Sequence, residues 1–266
     1  MTDLTASIES MGQLTAGWHA MVLDRDANAD VRDLPGIAVR WADSRFAFWN
    51  TVTLTQVGAD AASLRQNLAQ VADIMRAKEH PGFLWLFEDL LGDDARAVLP
   101  EAIAQAGLRY SFSGAGMAGA FSPLVEPVHP DLTFVRVETD EHLTAYADIN
   151  AHAYGFALED VRDGLVGSTL WKKDVYAYLA MKGDQPVACA GAIEIDGCLF
   201  VVLVATEPEW QRVGYGEAVT RKVLYEGYRA TGLTHGTLQA TEAGRPVYAR
   251  IGLQANSPIH FYDLQS

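Results

Sequence analysis

Five consecutive apolar residues, Val201–Ala205, run into Pro208 and then into Gln211-Arg212-Val213-Gly214-Tyr215-Gly216, after which Ala218, Val219, Val223 and Leu224 recur at helical spacing. A buried strand, a glycine-bearing turn and a helix therefore follow one another directly. Gly214 and Gly216 carry no Cβ, so the backbone here can pass close to a ligand. The unpaired N–H groups and the dipole of the helix N-terminus favour an anion at the same place, and Arg212 supplies a cation at its rim. The turn is not a dinucleotide fingerprint, because the third glycine would fall at Val219, and no Gly-Lys-Ser/Thr marks a nucleoside triphosphatase. A Gly-X-Gly turn alone is more often a plain tight turn, and the segment after it tips the balance.

Leu238–Thr241 reads as the next strand, Gly244 and Pro246 mark a helix start, and Tyr248 lies on that helix between Val247 and Ile251, just before Gly252-Leu253. Together the two segments resemble the GCN5-related N-acetyltransferase (GNAT) superfamily. Its motif Gln/Arg-x-x-Gly-x-Gly/Ala after an apolar strand is filled by Gln211, Gly214 and Gly216. Its helical Tyr shortly before Gly-Phe is matched by Tyr248, with Gly252-Leu253 in place of Gly-Phe. The resemblance extends from Asp131 to the end of the chain.

The resemblance implies an α+β fold with a central mixed, mostly antiparallel sheet flanked by helices. It also implies an acetyl-CoA-dependent (or other acyl-CoA-dependent) N-acetyltransferase that acts by direct attack of a small-molecule or peptide amine on the thioester. By the same resemblance Leu203 and Val204 offer main-chain amides to the thioester, and Thr206 belongs to the cofactor-binding set. Gln211, Arg212, Val213, Gly214, Tyr215 and Gly216 then hold the pyrophosphate. Tyr248 is the candidate proton donor to the departing thiolate, since a phenol of pKa near ~10 stays protonated at neutral pH; the competing reading is a packing aromatic. Three residues compete as proton acceptor. Glu194, between Ile193 and Ile195, is either a placed base or a solvent-facing acid. His152 has the most suitable ordinary pKa, although a lone helical His is more often a surface or packing residue. Glu207 is positioned to act through water. Tyr154 and Phe156 are candidate walls of an acceptor pocket, and Trp171 reads better as core. The rival from another class is a CoA-binding regulatory module with little or no turnover, against which the intact Tyr248 weighs.

The formal net charge of −14 argues against nucleic acid as the main partner, which would need a basic face, and weakly steers a cationic amine. No apolar stretch approaches the ~20 residues of a membrane helix, and Met1-Thr2-Asp3-Leu4 shows no basic region followed by an apolar run. The expectation is a cytoplasmic protein without a membrane partner, monomer or homodimer. Cys189 and Cys198 fit no metal or redox spacing and read as small buried residues. No metal is expected, and no Ser/His/Asp order stands out.

Pro123, Pro127 and Pro130 make Phe121–Pro130 an extended linker, which divides the chain into domains 1–125 and 131–266. In the second, Thr133–Val137 is a strand, Asp140–Ala153 a helix capped by Asp140, and Leu158–Leu170 a second helix. Strands then follow at Asp174–Met181, Val187–Ile195 and Leu199–Ala205, with a last one at Phe261–Leu264. In the first, Ile37–Trp41, Phe46–Thr55 and Phe83–Phe87 read as strands, and Ala61–Lys78 and Asp94–Ala106 as helices. This order echoes the second half without its anion loop, which points to a degenerate copy of the same fold; an unrelated cap domain is the alternative.

Overall fold

The computed structural model describes residues 4–265. In chain order its elements are α1 (Leu4–Arg25), β1 (Asp30–Leu34), β2 (Ile37–Trp41), β3 (Asn50–Leu54), α2 (Ala61–Arg76), β4 (Phe83–Phe87), α3 (Asp93–Gln105) and β5 (Leu108–Ala120). They continue with β6 (Thr133–Arg136), α4 (Asp140–Tyr154), α5 (Leu158–Leu165), α6 (Thr169–Lys173), β7 (Tyr178–Lys182), β8 (Gln185–Ile195) and β9 (Cys198–Thr206). The last are α7 (Tyr215–Thr231), β10 (His235–Thr241), α8 (Arg245–Ile251) and β11 (Gln254–Leu264). No helix among the described residues is long and apolar enough to cross a membrane.

The chain forms two compact units. The first comprises Met1–Gly116, Ala240–Glu242 and Ala255–Ser266, and the second Met117–Gln239 and Ala243–Gln254. The C-terminal strand segment thus packs with the first unit, although the linker in the sequence places it in the second domain. In the first unit the strand order is β1-β2-β3-β4-β11-β5. β1–β2, β2–β3 and β4–β11 pair antiparallel, and β3–β4 pair parallel. Alternation along β2 sends Ile37, Val39 and Trp41 into a core shared with Leu64, Leu68 and Val71 of α2 and Leu99 and Ile103 of α3. Arg40 points the other way and donates to the Thr15 carbonyl of α1 at 3.0 Å. On that side Trp18 meets Trp49 and Trp85 edge-on.

In the second unit the order is β10-β9-β8-β7-β6, with only β9 and β10 parallel. Leu199 on β9 packs against α7, where Gly227 leaves it room. The opposite face receives α4, whose Tyr146 reaches the carbonyls of β9. Both units therefore repeat one plan: an antiparallel pair, a helical crossover, and a strand parallel to the second member of the pair. This is the α+β class with a mixed, mostly antiparallel sheet that the sequence implies.

Several details differ from expectation for local reasons. The cap of α4 is Thr139, not Asp140, and its side chain accepts from the His142 N–H at 3.2 Å. The segment Leu158–Leu170 is two helices, because Gly167 takes a φ of +88° and Ser168 caps the second. Helix α1 has no clear apolar period, since its buried stripe mixes Ser7, Ser10 and Gln13 with Met11, Leu14 and Trp18.

Gly252 closes α8 at a φ of +118°, and a Cβ there would stand 2.5 Å from the Ala120 carbonyl oxygen. Neither that φ nor backbone contact can relax cheaply. Gly252→Ala is expected to destabilise the fold by about 1–3 kcal/mol, read as a lowered urea midpoint at unchanged m-value.

Candidate active site

The pairing of β8 with β9 passes from Cys189↔Ala205 to Gly191↔Val202, two steps on one strand opposite three on the other. The extra residue makes a β-bulge at Leu203-Val204, and Leu203 takes a φ of +47°, a region that side-chain-bearing residues seldom adopt. Helix α4 holds it there. Tyr146, Asn150 and Tyr154 recur every four residues and share one stripe. The Tyr146 hydroxyl donates to the Leu203 carbonyl at 2.9 Å and the Tyr154 hydroxyl to the Val204 carbonyl at 2.7 Å. Between them, buried Asn150 donates to Cys189 Sγ at 3.2 Å. In a trans peptide the N–H opposes the C=O, so fixing the Leu203 carbonyl aims the Val204 N–H away from α4. Burial pushes the Cys189 thiol well above its ordinary value, which makes it an inert packing group rather than a nucleophile.

On its other side β9 pairs with β10 through Gly236↔Leu199 and Thr237↔Phe200. That register ends short of the Leu203-Val204 bulge. Tyr248, on α8, is 8% exposed. Burial, and secondarily the nearby Tyr154, raises its phenol well above the ordinary value, so it stays a neutral phenol across the physiological range. Tyr154 and Tyr146 are raised for the same leading reason.

Beyond β9 a short turn at Pro208–Trp210 leads into the glycine loop. The Gln211 amide ties back to the Thr206 carbonyl at 3.3 Å. Arg212 and Gly214 take left-handed φ values of +63° and +92°, and α7 then starts with no side-chain cap, which leaves its first N–H groups to an external acceptor. Gly214 is required by its φ, since a Cβ would meet nothing within 4 Å, whereas at Gly216 a Cβ would stand 2.9 Å from Thr206 Oγ1. Arg212 and Val213 are exposed. The Tyr215 ring is buried and stacks on Trp210, with Lys182 over the Trp210 face at 4.1 Å, so Tyr215 can offer a ligand only its backbone. Glu217, an acid in the first turn of α7, is bound by Arg250 at 2.7 Å and Arg221 at 3.0 Å. Burial opposes its ionisation, but the two guanidiniums win and hold its carboxyl below the ordinary range. Its charge is thereby offset where an anion would sit.

His152 Nδ1 lies 2.9 and 3.0 Å from the two carboxylate oxygens of Glu207, so two of the candidate proton acceptors form one pair at the end of β9. Glu194 is not brought to them. It is exposed and registers with Leu199 near the β8–β9 hairpin, on the order of 15 Å along the strand from Cys189 at ~3.3 Å per residue. Trp171 is core, packed on Tyr146 with ring centroids 5.1 Å apart, and Phe156 is half-buried. Tyr154, expected as a pocket wall, anchors Val204 through its hydroxyl. The reading of the sequence missed the roles of Tyr146 and Asn150; the signal was a repeat of hydrogen-bonding side chains every four residues on a helix face that otherwise reads as apolar.

No family model and no curated protein matches the sequence. Among solved structures the chain is similar to a GCN5-related N-acetyltransferase from Kribbella flavida, at 19% identity and a TM-score of 0.67, over 96% of this chain and 97% of that one. It is similar to a GCN5-related N-acetyltransferase from Sphaerobacter thermophilus at 14% identity and a TM-score of 0.59, over 98% and 93%. It also resembles a tandem GNAT protein from the clavulanic acid biosynthesis pathway at 14% identity and a TM-score of 0.54, over 80% and 74%. The fold is therefore the GNAT fold.

The three tyrosines make stability depend on alkaline pH. Their folded-state pKa values lie above the ordinary 10.0, so they favour the folded state fully below that value, and the contribution is lost as pH rises above it because only the unfolded chain releases these protons. Urea midpoints should fall progressively above pH ~10, and Tyr146→Phe should flatten that dependence.

Proposed function

We propose that this chain, with the GNAT fold, is an acyl-CoA-dependent N-acyltransferase that moves an acetyl group to a primary amine of a small molecule or peptide. The observation that carries the reading is the conjunction of the Leu203-Val204 bulge, with its carbonyls taken by Tyr146 and Tyr154, and the uncapped glycine turn at the start of α7. The open space at Gly214 and the N-terminus of α7 without a capping side chain fit a pyrophosphate.

Acetyl-CoA supplies the acyl group as an activated thioester. Backbone amides of Gln211–Gly216, with Arg212 beside them, bind the pyrophosphate. The Val204 N–H, held by the tyrosines on the far side of its peptide, is a preorganised donor to a developing oxyanion, worth about 10²–10³ in rate for such a donor. Tyr248 protonates the departing sulfur. Glu207 holds the ring N–H of His152 at Nδ1, which leaves Nε2 to take the proton of the attacking amine directly or through water.

The first unit is proposed to carry no cofactor. Its corresponding β2–β3 pair keeps one unbroken register. The N-terminus of α2 is occupied by carboxylates of its own chain: Asp60 accepts from the Ser63 N–H at 2.8 Å and Asp94 from the Ala61 N–H at 3.0 Å.

Calorimetric titration with acetyl-CoA tests the donor site. Saturable binding is expected in the wild type and should be lost in Gly214→Trp, which cannot relax at the left-handed φ. Failure of the folded wild type to bind would overturn the reading. With an accepted amine, Tyr248→Phe should lower kcat by about 10²–10⁴-fold while binding of acetyl-CoA persists; release of no CoA with any amine would instead indicate a binding module without turnover.

A further inference from the structure

In the first unit, β5, β11 and the turn after β4 bring together a serine, a histidine and a glutamate that lie 147 and 172 positions apart in the chain. Ser113 Oγ is 2.8 Å from His260 Nδ1, and His260 Nε2 is 2.6 Å from a carboxylate oxygen of Glu88. The Tyr110 hydroxyl stands 2.8 Å from Ser113 Oγ. A carboxylate only accepts hydrogen bonds, so Glu88 fixes the ring proton on Nε2 and leaves Nδ1 as the acceptor. The Ser113 hydroxyl then donates to Nδ1, and its oxygen accepts from Tyr110. The carboxylate at one end thereby sets the direction of every bond in the chain.

The cluster is open to reagents. The side chains of His260 and Glu88 retain 22% and 39% of their exposure, and Tyr110 is 57% exposed. Tyr262, on the same strand as His260, is pushed up to about 12 by burial and then by Glu88 and Tyr110, so it stands beside the cluster as a neutral phenol. The acyl-transfer reaction proposed for the second unit uses none of these residues.

We propose that Ser113, His260, Glu88 and Tyr110 form a second, independent site with a serine nucleophile, suited to small activated esters. The four groups fill the roles such chemistry needs: nucleophile, base, orienter of the base and donor to the oxyanion. Either ring nitrogen can act as the base once the other is locked, and here the serine faces Nδ1. In the first half-reaction the Ser113 Oγ–C bond forms and the ester C–O bond breaks. The serine proton passes to Nδ1 and then to the leaving oxygen, which departs as an alcohol. In the second, water attacks the acyl carbon and gives its proton to Nδ1. The Oγ–C bond breaks, Oγ is reprotonated, and the carboxylic acid leaves. Tyr110, freed from Oγ, donates to the oxyanion in both steps.

The test is covalent labelling of the full chain with a fluorophosphonate, which forms a P–O bond to an activated serine and expels fluoride, followed by peptide mass spectrometry. The expected result is modification at Ser113, abolished in Ser113→Ala and slowed about 100-fold in His260→Gln, with Glu88→Gln intermediate. Thermal melts by circular dichroism verify that each variant is folded. A folded wild type that takes no label at Ser113 would overturn the proposal, as would a labelling rate unchanged in folded His260→Gln. Labelling in Tyr248→Phe should equal the wild type, which keeps this outcome separate from that of acyl transfer.

Discussion

The peptide carbonyls of Leu203 and Val204 are the point on which the second unit turns. An L-residue at a φ of +47° is strained by about 1–3 kcal/mol, and it persists only where its surroundings over-determine it. Two phenols on one stripe of α4, Tyr146 buried and Tyr154 half-buried, do so by taking both carbonyls, and Asn150 lies between them. The bulge turns β9 out of register with β8 while β10 leaves it on the other side. The left-handed Leu203 and the aim of the Val204 amide are thus held by one set of hydrogen bonds.

The proposed anion site shows how a chain of formal charge −14 can still offer a local positive field. Its source is backbone: the unfilled N–H groups of α7, with left-handed residues before them. The nearest acid, Glu217, is paired with two arginines. The first unit repeats the same order of elements but fills the start of α2 with Asp60 and Asp94. A carboxylate from the chain itself satisfies there the donors that α7 leaves available.

Elements whose apolar runs stand alone were readable from the sequence. Ile37–Trp41 and Phe83–Phe87 form strands with those bounds, and the glycine turn feeds the expected helix. Elements with mixed faces were not: α1 hides its period behind buried serines and a glutamine, and β5 extends through small residues that carry little strand signal. The glycine turn at Gly214 and Gly216 and the place of Tyr248 on the next helix were legible because residue type at fixed spacing marks them. The pairing of His152 with Glu207 was not, because 55 positions separate them. Glu194 looked plausible by alternation, yet alternation gives a face and not a position along the strand.

By itself, then, the sequence determined the local devices: a strand, a turn that must contain glycine, a helix start without a capping side chain, and a tyrosine placed by the same short-range spacing. These follow from backbone sterics and periodicity, which act over a few residues. Only the tertiary structure decided which groups meet. The Tyr146 and Tyr154 bonds to β9, the pairing of His152 with Glu207, and the alignment of Ser113, His260 and Glu88 all join residues dozens of positions apart. Their partners are chosen by sheet register and helix packing, and those are set by burial of the whole core rather than by any one segment.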